Sequence, residues 1–175
     1  MSKHKFGMFS FLLALLFAFV SVVGVGAAPK GEATVTLSLC GSKNQFGMVF
    51  RAAPGDNFYR FVVSCNGQTR LERSISGSRL PLLDWLSSGD APIAAPAEVK
   101  IGVWAVGGEM RFFLNDHFQF SLSDPVFTSG TIGFFVFANG QTPVTVSFTG
   151  LSVFSVHYIP PTFTPAPSPT STPNP

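Results

Sequence analysis

The chain has 175 residues, 46% of them apolar, 14% aromatic and only 11% charged, with 20 Phe against two Trp and two Tyr. High hydrophobicity with low charge excludes simple disorder, and the length fits one domain rather than two. The formal net charge is +2, but setting aside Lys3 and Lys5 of the leader leaves nine basic and nine acidic side chains. That neutral balance argues against nucleic acid or anionic lipid as the main partner.

Residues 1–27 read as a secretory signal. Lys3, His4 and Lys5 form a basic start, an apolar run follows from Phe6 to Gly26, and small residues close it. Cleavage after Ala27 leaves Val25 and Ala27 at the two positions that should be small or short. The alternative is an uncleaved anchor, since about 20 apolar residues can just span a bilayer. Membrane contact is therefore expected only during export or through such an anchor. The mature chain is expected to be secreted or held at the extracytoplasmic cell surface.

Residues 28–159 are long enough for one hydrophobic core. Val, Phe and Thr recur, Gly and Asn-Gly punctuate, and no stretch sustains a 3.6-residue apolar stripe, so helix is expected to be minimal. Val35, Leu37 and Leu39 alternate with Thr34, Thr36 and Ser38 in a first strand. Phe46, Met48 and Phe50 mark a second, Ala53-Pro54-Gly55-Asp56 a turn, and Asn57 to Cys65 a third. Asn66-Gly67 makes a tight hairpin into Gln68 to Ile75, and these four strands are expected to pair in order as a meander.

A Pro-rich crossing segment is expected from Leu80 to Pro96, before strands resume at Glu98 to Val106, Glu109 to Asn115, His117 to Leu122 and Thr131 to Ala138. In the last run, Val144 to Val156, the apolar phase slips across Gly150, as one extra residue in a strand produces. About ten strands with short connections predict a sandwich of two antiparallel sheets. Residues 160–175, PPTFTPAPSPTSTPNP, predict a disordered, extended Pro/Thr/Ser-rich tail.

Parity along the strands carries the functional information. Val99, Ile101, Val103, Met110, Phe112 and Leu114 belong in the core. The opposite row holds Lys100, Trp104, Arg111, Phe113 and Asn115, with Phe135 and Phe137 expected beside it and Arg51 and Arg60 able to join it. One reading is an open sheet whose rings stack on sugar while Arg and Asn bond hydroxyls, with Arg60, Trp104, Arg111, Phe113 and Asn115 as ligand-binding residues. The other is a second small core, with the crossing segment and its Leu82, Leu83 and Trp85 lying over those rings.

Four stretches carry a resemblance: GMVFRAAPGDNFYRFVVSCNGQTRLER, PLLDW, VKIGVWAVGGEMRFFLND and SDPVFTSGTIGFFVF. From Ala33 to about Val156 the chain resembles the concanavalin A-like (lectin/glucanase) jelly-roll modules related to laminin-G domains. It is also similar to the domain family named for 3-keto-disaccharide hydrolase. The resemblance implies the fold. Members usually carry some tens of residues before the segment matching Thr34 to Leu39, so an edge pair is expected to be missing, with an open edge able to recruit another chain.

Catalytic constellations are not evident. Glu32, Glu72, Glu98 and Glu109 are not arranged as the two Glu flanking an Asp that glucan-cleaving relatives of this fold use. No nucleophile elbow, phosphate loop, His-Glu-x-x-His or Cys-x-x-Cys occurs. No cofactor is expected; Asp84, Asp116 and Asp124 could help hold calcium, but no spacing specifies it. Cys40 and Cys65 are the only thiols, and export invites a disulfide. In a meander they would end strands separated by a middle one, about 9 to 10 Å apart, whereas bridged Cα atoms lie within about 7 Å; bonded and free states both stay open.

The sequence thus predicts an exported, non-catalytic β-sandwich module that binds a glycan or an extracellular protein. Its alternatives are a glycoside-active hydrolase of the 3-keto-disaccharide type and a structural or assembly module that uses an open sheet edge.

Overall fold

The computed structural model describes residues 31–155. The expected leader (1–27) and tail (160–175) lie outside the described residues. Ten strands run in chain order: β1 Gly31–Leu39, β2 Gln45–Ala53, β3 Asn57–Ser64, β4 Gln68–Ile75, β5 Ser78–Ser87, β6 Ala97–Val106, β7 Glu109–Leu114, β8 His117–Ser123, β9 Thr131–Phe137 and β10 Thr145–Ser152. They form two five-stranded sheets, sheet A in the order β10-β1-β6-β7-β8 and sheet B in the order β5-β4-β3-β2-β9. All pairings are antiparallel, so the fold is the expected all-β, two-sheet jelly-roll sandwich.

Alternation dictates the core. Val35 and Leu37 of β1, Phe46 and Met48 of β2, Tyr59, Phe61 and Val63 of β3, Ile101 of β6, and Phe112 and Leu114 of β7 point between the sheets and are buried. Aromatic rings bridge the layers: Phe61 of sheet B meets Phe112 of sheet A at 5.0 Å between centroids, and Phe112 meets Phe120 at 4.7 Å. Such ring pairs each contribute about 0.5–1.5 kcal/mol beyond their buried area. The Asn66-Gly67 and Asn115-Asp116 turns form where expected, with positive φ at Gly67, Asn115 and Asp116. The extra residue at Gly150 appears as a register shift between β10 and β1, with Gly150 at φ +64°.

Three expectations about neighbours are corrected. The first strand does not open a four-strand meander: β1 lies inside sheet A, second in order between β10 and β6, so it is not an edge strand either. The stretch expected to cross from Leu80 to Pro96 begins as a strand, since β5 continues sheet B beyond β4, with two register shifts, despite Pro81, which is tolerated because β5 is an edge. Phe135 and Phe137 of β9 do not join the Trp104 row, because β9 pairs with β2 in the other sheet.

The first correction also changes the cysteine geometry. Cys40 follows β1 of sheet A and Cys65 follows β3 of sheet B. At this end of the sandwich the two sheets converge, the Cα atoms are 6.0 Å apart, and a disulfide joins the layers. No middle strand separates the two residues, so the distance argued from a meander does not apply.

Candidate functional site

The five residues singled out from sequence do not form one site. Trp104, Arg111 and Phe113 lie on the outer face of sheet A, because their neighbours Val103, Phe112 and Leu114 face the core. Arg60 lies on the outer face of sheet B, between the core residues Tyr59 and Phe61. The body of the sandwich separates them.

The sheet A residues are also engaged in holding the sheet. Trp104 is 1% exposed, and the Arg111 guanidinium lies 4.6 Å from its ring centroid. Glu109 Oε1 in turn accepts bonds from Arg111 Nε and Nη2 at 2.8 and 2.6 Å. Phe113 packs edge-on against Phe118. Asn115 sits in the β7–β8 turn, where its side chain accepts the Lys100 backbone N–H at 2.9 Å and its own N–H donates to the Lys100 carbonyl. The expected cover from Leu80 onward does not form as one segment: residues 80–87 belong to β5 of sheet B, while Ser88 and Asp90 bond Gln119 and His117 on the β8 edge of sheet A.

The outer face of sheet B carries a different pattern. Register places Arg60 opposite Glu72, Val62 opposite Arg70, and Gly47 opposite both Val62 and Phe135. One Glu72 oxygen bonds Arg60 Nε and the other bonds Arg70 Nη2. Arg60 then reaches over β2 to lie 4.8 Å from the Phe135 centroid, and Arg70 lies 4.4 Å from the Trp85 centroid. The result is a strip across all five strands: ring, guanidinium, carboxylate, guanidinium, ring. Gly47 makes the crossing feasible, because a Cβ there would sit 1.9 Å from the Phe61 carbonyl oxygen and 3.1 Å from the Phe135 ring.

At the Trp85 end the strip opens into a bay of about 320 Å³, lined by Trp85, Gln68, Asn66, Gln45, Lys43 and Asn139, with Ser42 and Ser64. Three connections converge to build it: the β1–β2 loop, the Asn66-Gly67 hairpin and the loop after β9. The Ser64 hydroxyl fixes the hairpin, bonding Asn66 Oδ1 and accepting the Gln68 N–H at 3.1 Å. Lys43 N–H donates to Gln141 Oε1 at 2.8 Å, tying the first loop to the last. The bay therefore combines one half-buried aromatic wall, several amides and a single cation, a chemistry suited to ring stacking and to paired bonds with hydroxyls.

A second cavity, of about 210 Å³, lies at the end of the sandwich beside Arg51 and the loop Thr128 to Thr131. Its one charged group, Arg51, is tied to the segment before β9, and a neighbouring knot holds the same segment. Arg51, at φ +53°, donates from Nη1 to the Phe127 carbonyl at 2.8 Å, and burial pushes its pKa below the ordinary arginine value. Tyr59 donates its hydroxyl to Asp124 Oδ1 at 2.8 Å and accepts the Phe127 N–H, while Arg73 pairs with the other Asp124 oxygen. Desolvation is the main reason that the Tyr59 hydroxyl is held above its usual pKa. This knot fastens the segment before β9.

The aspartates considered for calcium stay apart. Asp124 is in that knot, Asp116 pairs with Lys100, and Asp84 accepts the Trp85 backbone N–H. Among the described residues no three His, Cys, Asp or Glu side chains converge as a metal site. Sequence reasoning missed Trp85, Arg70 and Glu72. Arg70 and Glu72 alternate with the core residue Leu71 and so were legible as an outer row; Trp85 was hidden because its strand carries Pro81 and no clean alternation.

No protein-family model matches the chain, and no curated protein matches its sequence. Solved structures do match. The chain is similar to the carbohydrate-binding module CBM66 from Bacillus subtilis, with 17% identity, a TM-score of 0.59, and 72% of this chain and 74% of that one covered. It is similar to sheep galectin-11 in complex with glycerol at 14% identity and TM-score 0.50, covering 71% and 90%. It is also similar to a native glycosidic hydrolase at 10% identity and TM-score 0.51, covering 71% and 67%. At these identities the likeness shows the jelly-roll sandwich fold that the three share with this chain.

Proposed function

We propose that this chain is an exported, non-catalytic β-sandwich that binds carbohydrate through the outer face of sheet B. The observation that carries the reading is the strip of Trp85, Arg70, Glu72, Arg60 and Phe135 opening into an amide-lined bay. The Trp85 ring offers an apolar platform beside the amides of the bay, and the Arg70–Glu72–Arg60 clamp within the strip fixes that ring on the sheet. A carbohydrate-binding module and a galectin share the fold, which supports a glycan over an extracellular protein as partner. The disulfide and the signal-like leader support export to an oxidising compartment. Glu72, the acid at the centre of the strip, has both oxygens engaged by guanidinium groups, which supports a binding role over proton transfer.

The test is a glycan array followed by calorimetry on the intact mature chain. Trp85→Ala should weaken a positive signal at least about tenfold, or 1.4 kcal/mol. Arg111→Ala, on the opposite face, should leave it unchanged. Failure to bind any glycan, or sensitivity to Arg111→Ala without sensitivity to Trp85→Ala, refutes the proposed face. Release of sugar from a disaccharide panel would favour the hydrolase alternative.

A further inference from the structure

One side of the sandwich is unfinished. β9 is the last strand of sheet B and β10 the last of sheet A, and they meet where Phe134 stacks on Phe148 with centroids 4.5 Å apart. Phe134 is opposite Met48 and Val136 opposite Phe46, so both point toward the core. Met48 and Phe46 are fully buried, yet Val136 is 41% exposed. Beyond the Gly150 bulge, Leu151, Val153 and Phe154 are exposed as well. The core reaches the surface along this side.

Neither edge carries charge or proline, and the Gly150 bulge interrupts β10 only near its end. Natural edge strands are guarded by charge, proline, bulges or cover. β9 (TIGFFVF) and β10 (TVSFTGLS) contain no charge and no proline, whereas β5 carries Arg79, Pro81 and Asp84. An uncharged edge is also self-complementary, since a two-fold axis sets the same residues against each other and no like charges meet.

We propose that two copies of this chain associate edge to edge along β9 and β10, covering Val136, Leu151, Val153 and Phe154 and pairing free backbone groups across the interface. Pairing β9 with its counterpart about an axis normal to the sheet continues sheet B through the dimer and leaves both outer faces on one side. The association does not depend on what that face binds. If it binds a glycan, the dimer presents two sites to one surface, and avidity follows without new contacts.

Sedimentation velocity of the mature chain over a concentration series tests this. The expected result is a monomer–dimer equilibrium that shifts with concentration, and hydrogen exchange in which β9 and β10 amides gain protection as dimer forms. Val136→Lys with Val153→Lys places like charges across the axis and should raise the dissociation constant by about 100-fold or more. Ile93→Lys, at a residue 79% exposed elsewhere, should not change it. Circular dichroism confirms that each variant is folded; if the double variant is not, Val153→Lys alone, at a 62% exposed position, decides the matter. A monomer at every concentration, a dimer indifferent to the Lys substitutions, or protection that appears at β5 or β8 instead would overturn the proposal.

Discussion

Glu72→Gln asks whether the sheet B strip is a dry clamp or a set of solvated surface charges. Glu72 is 2% exposed and Arg60 6%, and each carboxylate oxygen serves a different guanidinium. An exposed ion pair contributes about 0–1 kcal/mol. Removing one partner from a buried pair costs about 3–5 kcal/mol, because the remaining charge is desolvated without compensation. Arg60, held over Phe135, is the cation that would be stranded; the Arg70 side chain is 20% exposed and can turn toward water. One stranded cation rather than two puts the expected loss near the lower limit, about 3 kcal/mol. For a domain of this size that lowers Tm by roughly 10 °C. Urea unfolding and calorimetry would measure it. Arg60→Met combined with Glu72→Gln should recover part of the loss, since the uncompensated charge is then gone. A Glu72→Gln loss below about 1 kcal/mol with an unchanged m value would refute the burial argument.

Three further outcomes follow from other parts of the molecule. Replacing Cys40 and Cys65 with Ala opens a closure of 25 residues and should lower stability by about 3–4 kcal/mol; coincident melts with and without reductant would contradict this. His117 Nδ1 lies 2.7 Å from Asp90 Oδ1, which raises the His117 pKa above 6.5 and lowers that of Asp90 below 3.8. The His117 contribution is complete below 6.5 and lost as pH rises through its folded value; the Asp90 contribution is complete above 3.8 and lost as pH falls through its folded value. The tether is therefore whole in the mildly acidic window. Exchange of the Gly67 and Ser88 amides, which bond the Asn66-Gly67 hairpin to the segment that carries Asp90 through the Pro92 and Gly67 carbonyls, should accelerate beyond the intrinsic rate as pH rises past His117 titration, and His117→Ala should abolish that extra step. Gly47→Ala would place Cβ 1.9 Å from a backbone oxygen and should prevent folding or cost more than about 3 kcal/mol; a near-native melt would show that β2 and β3 can separate there.

What local chemistry controls was legible in the sequence. Alternation through Val35 to Leu39 and Phe46 to Phe50 located strands, and Asn66-Gly67 and Asn115-Asp116 located turns. The phase slip at Gly150 located a bulge. Each of these depends on residues within a few positions of one another, so period and φ preference suffice. The same parity separated Trp104 and Arg111 from the core row correctly, yet it says nothing about whether an outer row is open. Arg111 stacks over the Trp104 ring, and only the register of β6 against β7 shows that.

Neighbour identity came from the folded molecule. Reading along the chain was enough for an all-β architecture with its inward and outward rows, because side-chain period is a property of each strand alone. That β1 belongs between β10 and β6, that Cys40 therefore meets Cys65, that β9 brings Phe135 to Arg60, and that Trp85 stands beside Arg70 all depend on pairing between segments far apart in the chain. Those pairings are selected by how the whole set of apolar rows closes into one core, and a strand's own residues are compatible with several partners.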